Sequence, residues 1–335
     1  MEQVAYIIGE TFLYWSSVIL VFAAVCAIGI FLWLYLRRKG NGPAAVFLVP
    51  LAAALSLICA RFMDWYCRSD SYESLKAAMT DFSGGDFALM GVFAGCVLAA
   101  CLLRLLRIVR DLPETLDCMS IAAAAGIGVG RLASLFNDSD RGMILEGIRS
   151  LPLVYPVTNS VSGETEYRLA TFMLQAIAAG GIFVILLAFY LLPRTKRPLR
   201  SGDTALQFLS VYGASQAVLD STRYDSLFMR SNGFVSFVQV LGAVGLVIPI
   251  VVFSVRMVRK LKWRWWFLAF WIPMAAAIGT AGFMEYYVQR HGDKALFAYT
   301  IMTGCLILTV LLTAAIRTVA IFAKEKQAVV ETAND

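Results

Sequence analysis

Charge is scarce in this chain. Only 16% of its 335 residues are Asp, Glu, Lys or Arg, where a soluble domain carries about 25%. That shortage, with 59% hydrophobic residues and a mean hydropathy of +0.72, excludes an ordinary soluble enzyme. Paired cysteines are lacking as well: the seven, at 26, 59, 67, 96, 101, 118 and 305, stand apart with no CxxC. Such scatter excludes a disulfide framework, and these residues read as small apolar fillers. A basic stretch before the first apolar run is also missing, Glu2 and Glu10 standing there instead. That argues against a cleaved secretory leader and for a retained span. No low-complexity segment and no soluble domain interrupts the chain.

What recurs is the apolar run of about 20 residues, long enough to cross the hydrocarbon core. Nine spans are predicted, at about 13–36, 44–63, 87–109, 118–136, 169–192, 204–221, 234–255, 265–286 and 296–318. The sixth is the most polar, carrying Gln207, Gln216 and Asp220. The fold expected is an all-α membrane protein, a polytopic helical bundle. With the N-terminus outside, cytoplasmic loops hold 18 of the 29 basic residues and seven of the 23 acids. The positive-inside rule then gives N-out, C-in. The basic excess is topological, reinforced by anionic headgroups, and calls for no nucleic-acid partner. "KWRWWFLAFW" (262–271) is an aromatic and basic belt anchoring the eighth span.

Ionisable residues within or at the ends of spans are costly, so each is a candidate for function. On the outer side Arg61 and Asp64 end the second span, Asp86 opens the third, Arg131 ends the fourth, and Asp220 and Arg223 end the sixth. Converging, they would make one polar site of three arginines and three carboxylates near the outer leaflet. Snorkelling or paired interface residues are the alternative, above all for Arg61 and Asp64, at i and i+3 on one helix. Two long outer connections, about 64–86 and 137–168, lie where binding chemistry tends to gather.

The segment "GRLASLFNDSDRG" (130–142) resembles the signature of the prolipoprotein diacylglyceryl transferase family, Gly-Arg-x-Gly/Ala-Asn-Phe-x-Asn-x-Glu-x-x-Gly. Gly130, Arg131, Ala133, Asn137 and Gly142 match at the right spacing. Upstream, "LDCMSIAAAAGIGVGR" carries Asp117 a helix length away and small residues throughout. "GGDFALMG" (84–91) is similar to the family's glycine-rich stretch at its third helix. "YGASQAVLDSTR" (212–223) resembles its Tyr-Gly-x-x-Arg-x-x-x-Glu-x-x-Arg block at Tyr212, Gly213 and Arg223, with Asp220 in the glutamate's place. "SNGFVSFVQVLG" (231–242) is similar to the following helix start at Gly233 and Ser236. The blocks keep the family's order over about residues 10–255, seven spans. The resemblance divides the chain into a transferase-like transmembrane domain (1–260), two additional transmembrane helices (261–323) and a short disordered cytoplasmic tail (324–335).

The resemblance implies a multi-pass enzyme of the bacterial cytoplasmic membrane. Such an enzyme moves diacylglyceryl from phosphatidylglycerol to the lipobox cysteine of a prolipoprotein, releasing glycerol phosphate, and needs no metal or organic cofactor. The reaction asks for positive charge on the departing phosphate, which guanidinium groups supply well, and for an acceptor of the thiol proton. By resemblance Arg131 and Arg223 hold phosphate and Tyr212 donates to it, with Asn137 and Gly142 at the substrate; Arg61, a charge at the outer end of the second span, is a further candidate for binding it. Several family positions are replaced: the histidine falls at Leu89, the signature asparagine at Ser134, the signature glutamate at Ser139, and the later block's first arginine at Gln216. The only histidine, His291, lies between the added helices. Asp86, Asp138 and Asp140, close in sequence to the replaced positions, are the candidate bases, with Asp220 as the further catalytic carboxylate. A thiol is already a few per cent ionised at neutral pH, so it needs less help from a base than an alcohol does. The alternative from another class is a catalytically inactive relative that holds an anionic phospholipid or lipoprotein segment. A transporter is disfavoured, since the sequence has no inverted repeat or paired broken helices.

Overall fold

The computed structural model describes residues 3–8, 11–38, 42–80, 87–145, 154–158, 163–192, 200–229, 232–291 and 294–332. Among these the chain is a helical bundle with three two-stranded antiparallel hairpins. Strands β1 (Val4–Ile8) and β2 (Thr11–Tyr14) run directly into α1 (Trp15–Arg37). Helices α2 (Gly42–Cys67), the short α3 (Leu75–Thr80), α4 (Leu89–Leu105) and α5 (Leu112–Gly130) follow. The hairpin β3 (Val154–Thr158) and β4 (Thr165–Leu169) leads to α6 (Thr171–Leu191) and α7 (Asp203–Leu219). A last hairpin, β5 (Phe228–Met229) and β6 (Asn232–Ser236), precedes α8 (Phe237–Leu261), α9 (Leu268–Arg290) and α10 (Ala295–Thr332).

Each of the nine predicted spans is a helix, but among the described residues seven are long and apolar enough to cross a membrane: α1, α2, α5, α6, α8, α9 and α10, with the short 3-10 turns adjoining α5 and α9 included. The multi-pass membrane architecture is therefore present, with two helices that depart from the simple pattern. Helix α4 is apolar but has 17 residues, about 25 Å at 1.5 Å per residue. Helix α7 also has 17 residues and is the polar one. It packs against α5, α6, α8 and α10, so protein meets its polar side chains, the setting in which such residues are tolerated at membrane depth. Helix α10 continues to Thr332 through the polar stretch expected as a tail; its Ala, Glu, Lys and Gln are good helix formers.

One core joins α1, α2, α4, α5 and α6 around Leu34, Leu48, Ile121, Ala124 and Leu186. A second core packs the last two helices onto α8, through Phe253 and Met257 of α8 with Phe267, Met274 and Ile316.

The end of the bundle away from Arg131 shows why α7 starts where it does. Asp117 of α5 accepts hydrogen bonds from the backbone N–H groups of Gly202 and Ala205, at 2.8 and 2.7 Å. A carboxylate borrowed from a neighbouring helix thus satisfies the orphan donors of the α7 N-terminus. Asp203, in the first turn of α7, is buried and pairs with Arg256 of α8 at 2.5 Å and Arg317 of α10 at 3.2 Å. At the other end of α7 the Tyr299 hydroxyl, from α10, donates to the Ser221 carbonyl at 3.0 Å. Gly213 lets α7 and α8 close: a Cβ there would come within 2.4 Å of the Gly242 carbonyl oxygen. Small residues permit such backbone contact between membrane helices. It sets the register of everything α7 presents beyond Gly213.

Candidate active site

Helix α5 ends at Gly130 and passes into a 3-10 turn, Arg131–Leu135. Asn137 then folds the chain back, its side-chain oxygen accepting from the backbone N–H of Ser139 at 3.2 Å and the Ser139 hydroxyl at 2.6 Å. Self-bonding of this kind is what asparagine does in turns. Asp140 follows in the left-handed region, φ +58°, uncommon for a non-glycine residue. That conformation brings its carboxylate back over Arg131. Arg131 Nη1 donates to Asp140 Oδ1 at 2.7 Å, and the Ser134 hydroxyl donates to Oδ2 at 2.8 Å.

The second half of the site comes from the turn after α7. Arg223 Nη2 reaches the same oxygen, Asp140 Oδ1, at 2.8 Å. Its Nη1 meets Asp220 at 3.3 Å and its Nε donates to Asp225 Oδ1 at 3.0 Å. Asp225 closes the loop by accepting from the Asp140 backbone N–H at 2.9 Å. Burial pushes the Asp140 carboxyl up, but the charges of Arg131 and Arg223 outweigh it and hold the group well below the usual carboxylate range. Burial pushes the Arg223 guanidinium down, and the carboxylates of Asp140, Asp225 and Asp220 more than reverse this. The cluster thus sets two arginines among three carboxylates. Asp220 also accepts from the Ser236 hydroxyl. Ser236 caps α8 by the reciprocal pattern with Gln239, at 3.0 and 2.9 Å, so the start of α8 is fastened to the site.

Backbone pairing stitches the two halves together. The N–H of Gly142 donates to Leu169 at 2.8 Å, that of Met143 to Thr222 at 3.1 Å, and that of Tyr224 to Arg141 at 3.1 Å. Gly142 has a packing reason: a Cβ would lie 2.5 Å from Thr171 Oγ1 and 2.8 Å from Leu169 Cβ. Arg141 is fully buried, its guanidinium 4.1 Å from the Tyr155 ring centroid and 4.5 Å from that of Phe172, with Nη2 donating to the Asn137 carbonyl at 2.6 Å. Burial pushes its pKa down. This stacked arginine ties the β3–β4 hairpin and α6 to the signature turn.

Below the arginines, Tyr212, Gln216 and Asp220 form one buried stripe along α7 at four-residue spacing. The Tyr212 ring stacks on Phe208 at 5.1 Å, and its hydroxyl approaches Arg131 without a hydrogen bond of normal geometry. From α6, Gln175 Nε2 donates to Gln216 Oε1 at 3.4 Å.

The structure thus brings Arg131, Asp140, Asp220, Arg223 and Tyr212 together. Asn137 uses its side-chain oxygen within its own turn, and Asp138 is exposed. Arg61 sits in a second cluster, with Nε donating to the Ala78 carbonyl at 2.9 Å and Nη1 to the Tyr72 hydroxyl at 3.3 Å. Tyr72 in turn donates to Asp64 at 2.6 Å. Asp86 lies outside the described residues. Sequence reasoning missed Asp225, whose signal was its place two residues after Arg223, and Gln175, a lone amide in an apolar helix.

A family model described as prolipoprotein diacylglyceryl transferase matches residues 3–255. Among curated proteins, the chain is similar to the phosphatidylglycerol–prolipoprotein diacylglyceryl transferase of Streptococcus sanguinis (strain SK36), 23% identical over 256 residues, which are 74% of this chain and 95% of that protein. It is 24% identical over 272 residues to the protein of that name from Streptococcus equi subsp. zooepidemicus (strain H70), covering 78% and 96%. With the one from Lactococcus lactis subsp. cremoris (strain MG1363) it shares 21% over 260 residues, again 78% and 96%. The match ends before α9, so the last two helices lie outside it.

Proposed function

The chain belongs to the prolipoprotein diacylglyceryl transferase family, and from that premise we propose that it moves the diacylglyceryl group of phosphatidylglycerol onto the cysteine thiol of a prolipoprotein lipobox. The observation that carries this reading is the meeting of Arg131 and Arg223 on one oxygen of Asp140. Two guanidiniums aimed at a single anionic oxygen are already spaced to donate to one phosphate oxygen in its stead.

In this reading the cysteine sulfur attacks the glyceryl carbon next to the phosphate. A C–S bond forms, the C–O bond breaks, and the electron pair stays with the departing phosphate oxygen. That oxygen gains negative charge, which Arg131 and Arg223 stabilise; one preorganised donor is worth about 3 kcal/mol in such a role. The thiol proton passes to Asp140. Once the phosphate engages its two arginines, this carboxylate loses the counter-charges that keep it a weak base. Asp220, fixed by Ser236, orients Arg223, and Tyr212 donates to the phosphate. Asp140 therefore takes over from Ser139, the signature glutamate's position, by one left-handed turn of the chain. In the N-out orientation the site faces the outer leaflet of the bacterial cytoplasmic membrane.

The test is transfer of labelled diacylglyceryl from phosphatidylglycerol to a lipobox peptide. Wild type is expected to label the cysteine and Arg131→Ala to lose about 100-fold or more of the rate. The replacement of the family's histidine by Leu89 favours the second reading, a relative that only holds anionic lipid. No label from wild type, beside a working family member, would decide for that one.

A further inference from the structure

Three helices each bring a buried polar atom to the Arg131 end of the bundle that has no hydrogen-bond partner among the described residues. They are Nε of Arg131 at the end of α5, Oε1 of Gln175 on α6, and the hydroxyl of Tyr212 on α7. Leaving such atoms unpaired in a buried setting is costly, and each calls for an explanation in strain, function or a bound group. The three are linked. Arg131 approaches Tyr212; Tyr212 and Gln216 are one helical turn apart on the same face; Gln216 meets Gln175 at 3.4 Å, a long contact that leaves Gln175 Oε1 unused. Both glutamines are almost wholly buried, at 1% and 2% exposure. Neither carries charge, so they add nothing to the hold on a phosphate. Their chemistry suits a neutral polar group beside it.

We propose that Gln175 and Gln216 form a subsite that reads the hydroxyl-bearing part of a phospholipid headgroup whose phosphate Arg131 and Arg223 hold, an assignment that rests on the transferase reading above. The unpaired atoms demand a ligand that both donates and accepts. Gln175 Oε1 needs a donor and Arg131 Nε needs an acceptor, while the Tyr212 hydroxyl donates to the phosphate. Alcohol groups of a polyol do both at once. An ammonium headgroup only donates, and it would bring a positive charge against two arginines. A trimethylammonium headgroup offers no N–H donor at all. The glutamines therefore determine specificity within an anion site that by itself would accept any phosphodiester.

The experiment measures binding of the purified full-length chain to two lipids of equal charge, phosphatidylglycerol and phosphatidylmethanol, which lacks the headgroup hydroxyls. Wild type is expected to prefer phosphatidylglycerol by about tenfold, one well-made hydrogen bond's worth. Gln175→Met and Gln216→Met should bring that preference towards unity while leaving phosphatidylmethanol binding unchanged; Arg131→Ala should weaken both lipids alike. Equal binding of the two lipids by wild type, which needs no variant to fold, would overturn the assignment, as would a preference that survives both glutamine substitutions. In those cases dependence on Arg131 would persist and the anion site would stand. Binding indifferent to Arg131 would remove the transferase reading of the site, and this subsite with it.

Discussion

Arg131 and Arg223 come from different helix ends and donate to the same atom, Oδ1 of Asp140, at 2.7 and 2.8 Å. Like charges so close would repel strongly in a buried setting, and the intervening carboxylate is what permits the arrangement. The site is therefore built around an internal anion, and its behaviour should follow from what happens to that charge.

Asp140→Asn keeps the shape and removes the charge. Breaking a buried ion pair costs about 3 kcal/mol or more, so thermal unfolding in detergent should occur at a clearly lower temperature. Inorganic phosphate should then raise the unfolding temperature of the variant more than that of wild type, because it restores the missing anion. Equal effects of phosphate on both proteins would mean that the arginines do not make an anion site.

The same group fixes a pH dependence. In the unfolded chain Asp140 titrates near pH 3.9 or so; in the folded chain its two arginines hold it lower. A carboxyl whose folded pKa is depressed stabilises above its unfolded pKa and loses that contribution as pH falls towards the folded one. The gap in unfolding temperature between wild type and Asp140→Asn should therefore be flat from about pH 5 to 8 and narrow below about pH 4. A gap that closes between pH 5 and 7 would contradict the pairing.

Gly142→Ala tests the stitching. The new methyl would meet Thr171 Oγ1, Leu169 Cβ and, at 3.0 Å, the Thr222 carbonyl, two of them on segments that frame Arg223. Overpacking of this kind costs about 1–3 kcal/mol. Stability should fall, and the transfer rate should fall more than substrate affinity, because Arg223 shifts against Asp140. Unchanged stability and rate in the variant would show that the strand pairing relaxes at no cost.

Much of this was legible because the bilayer is a strict solvent. A span must be apolar for about 20 residues, so α1, α2, α5 and α6 stand out, and an arginine at a span end, such as Arg131 or Arg223, announces itself by its cost. Arg61 announced itself equally, yet it serves the contacts between α2 and the α3 turn, since membrane cost says that a charge has a partner without saying which. The hairpins were not legible: β3 and β4 are five residues each and pair with each other inside a long polar connection, where hydropathy marks no element. Gln175 escaped notice because a neutral amide in an apolar helix raises no charge alarm. That Asp140 and not Ser139 faces Arg131 depended on one backbone angle, which no motif spacing records.

Helix α10 is fastened to both ends of α7, through Arg317 to Asp203 and through Tyr299 to Ser221. It works as a splint along a helix that hydrocarbon would not welcome. With protein on its flanks, α7 is released from the composition that lipid imposes, and its face can be given over to glutamines, a tyrosine and a carboxylate. Helix α10 thus widens the set of side chains that α7 can carry at membrane depth.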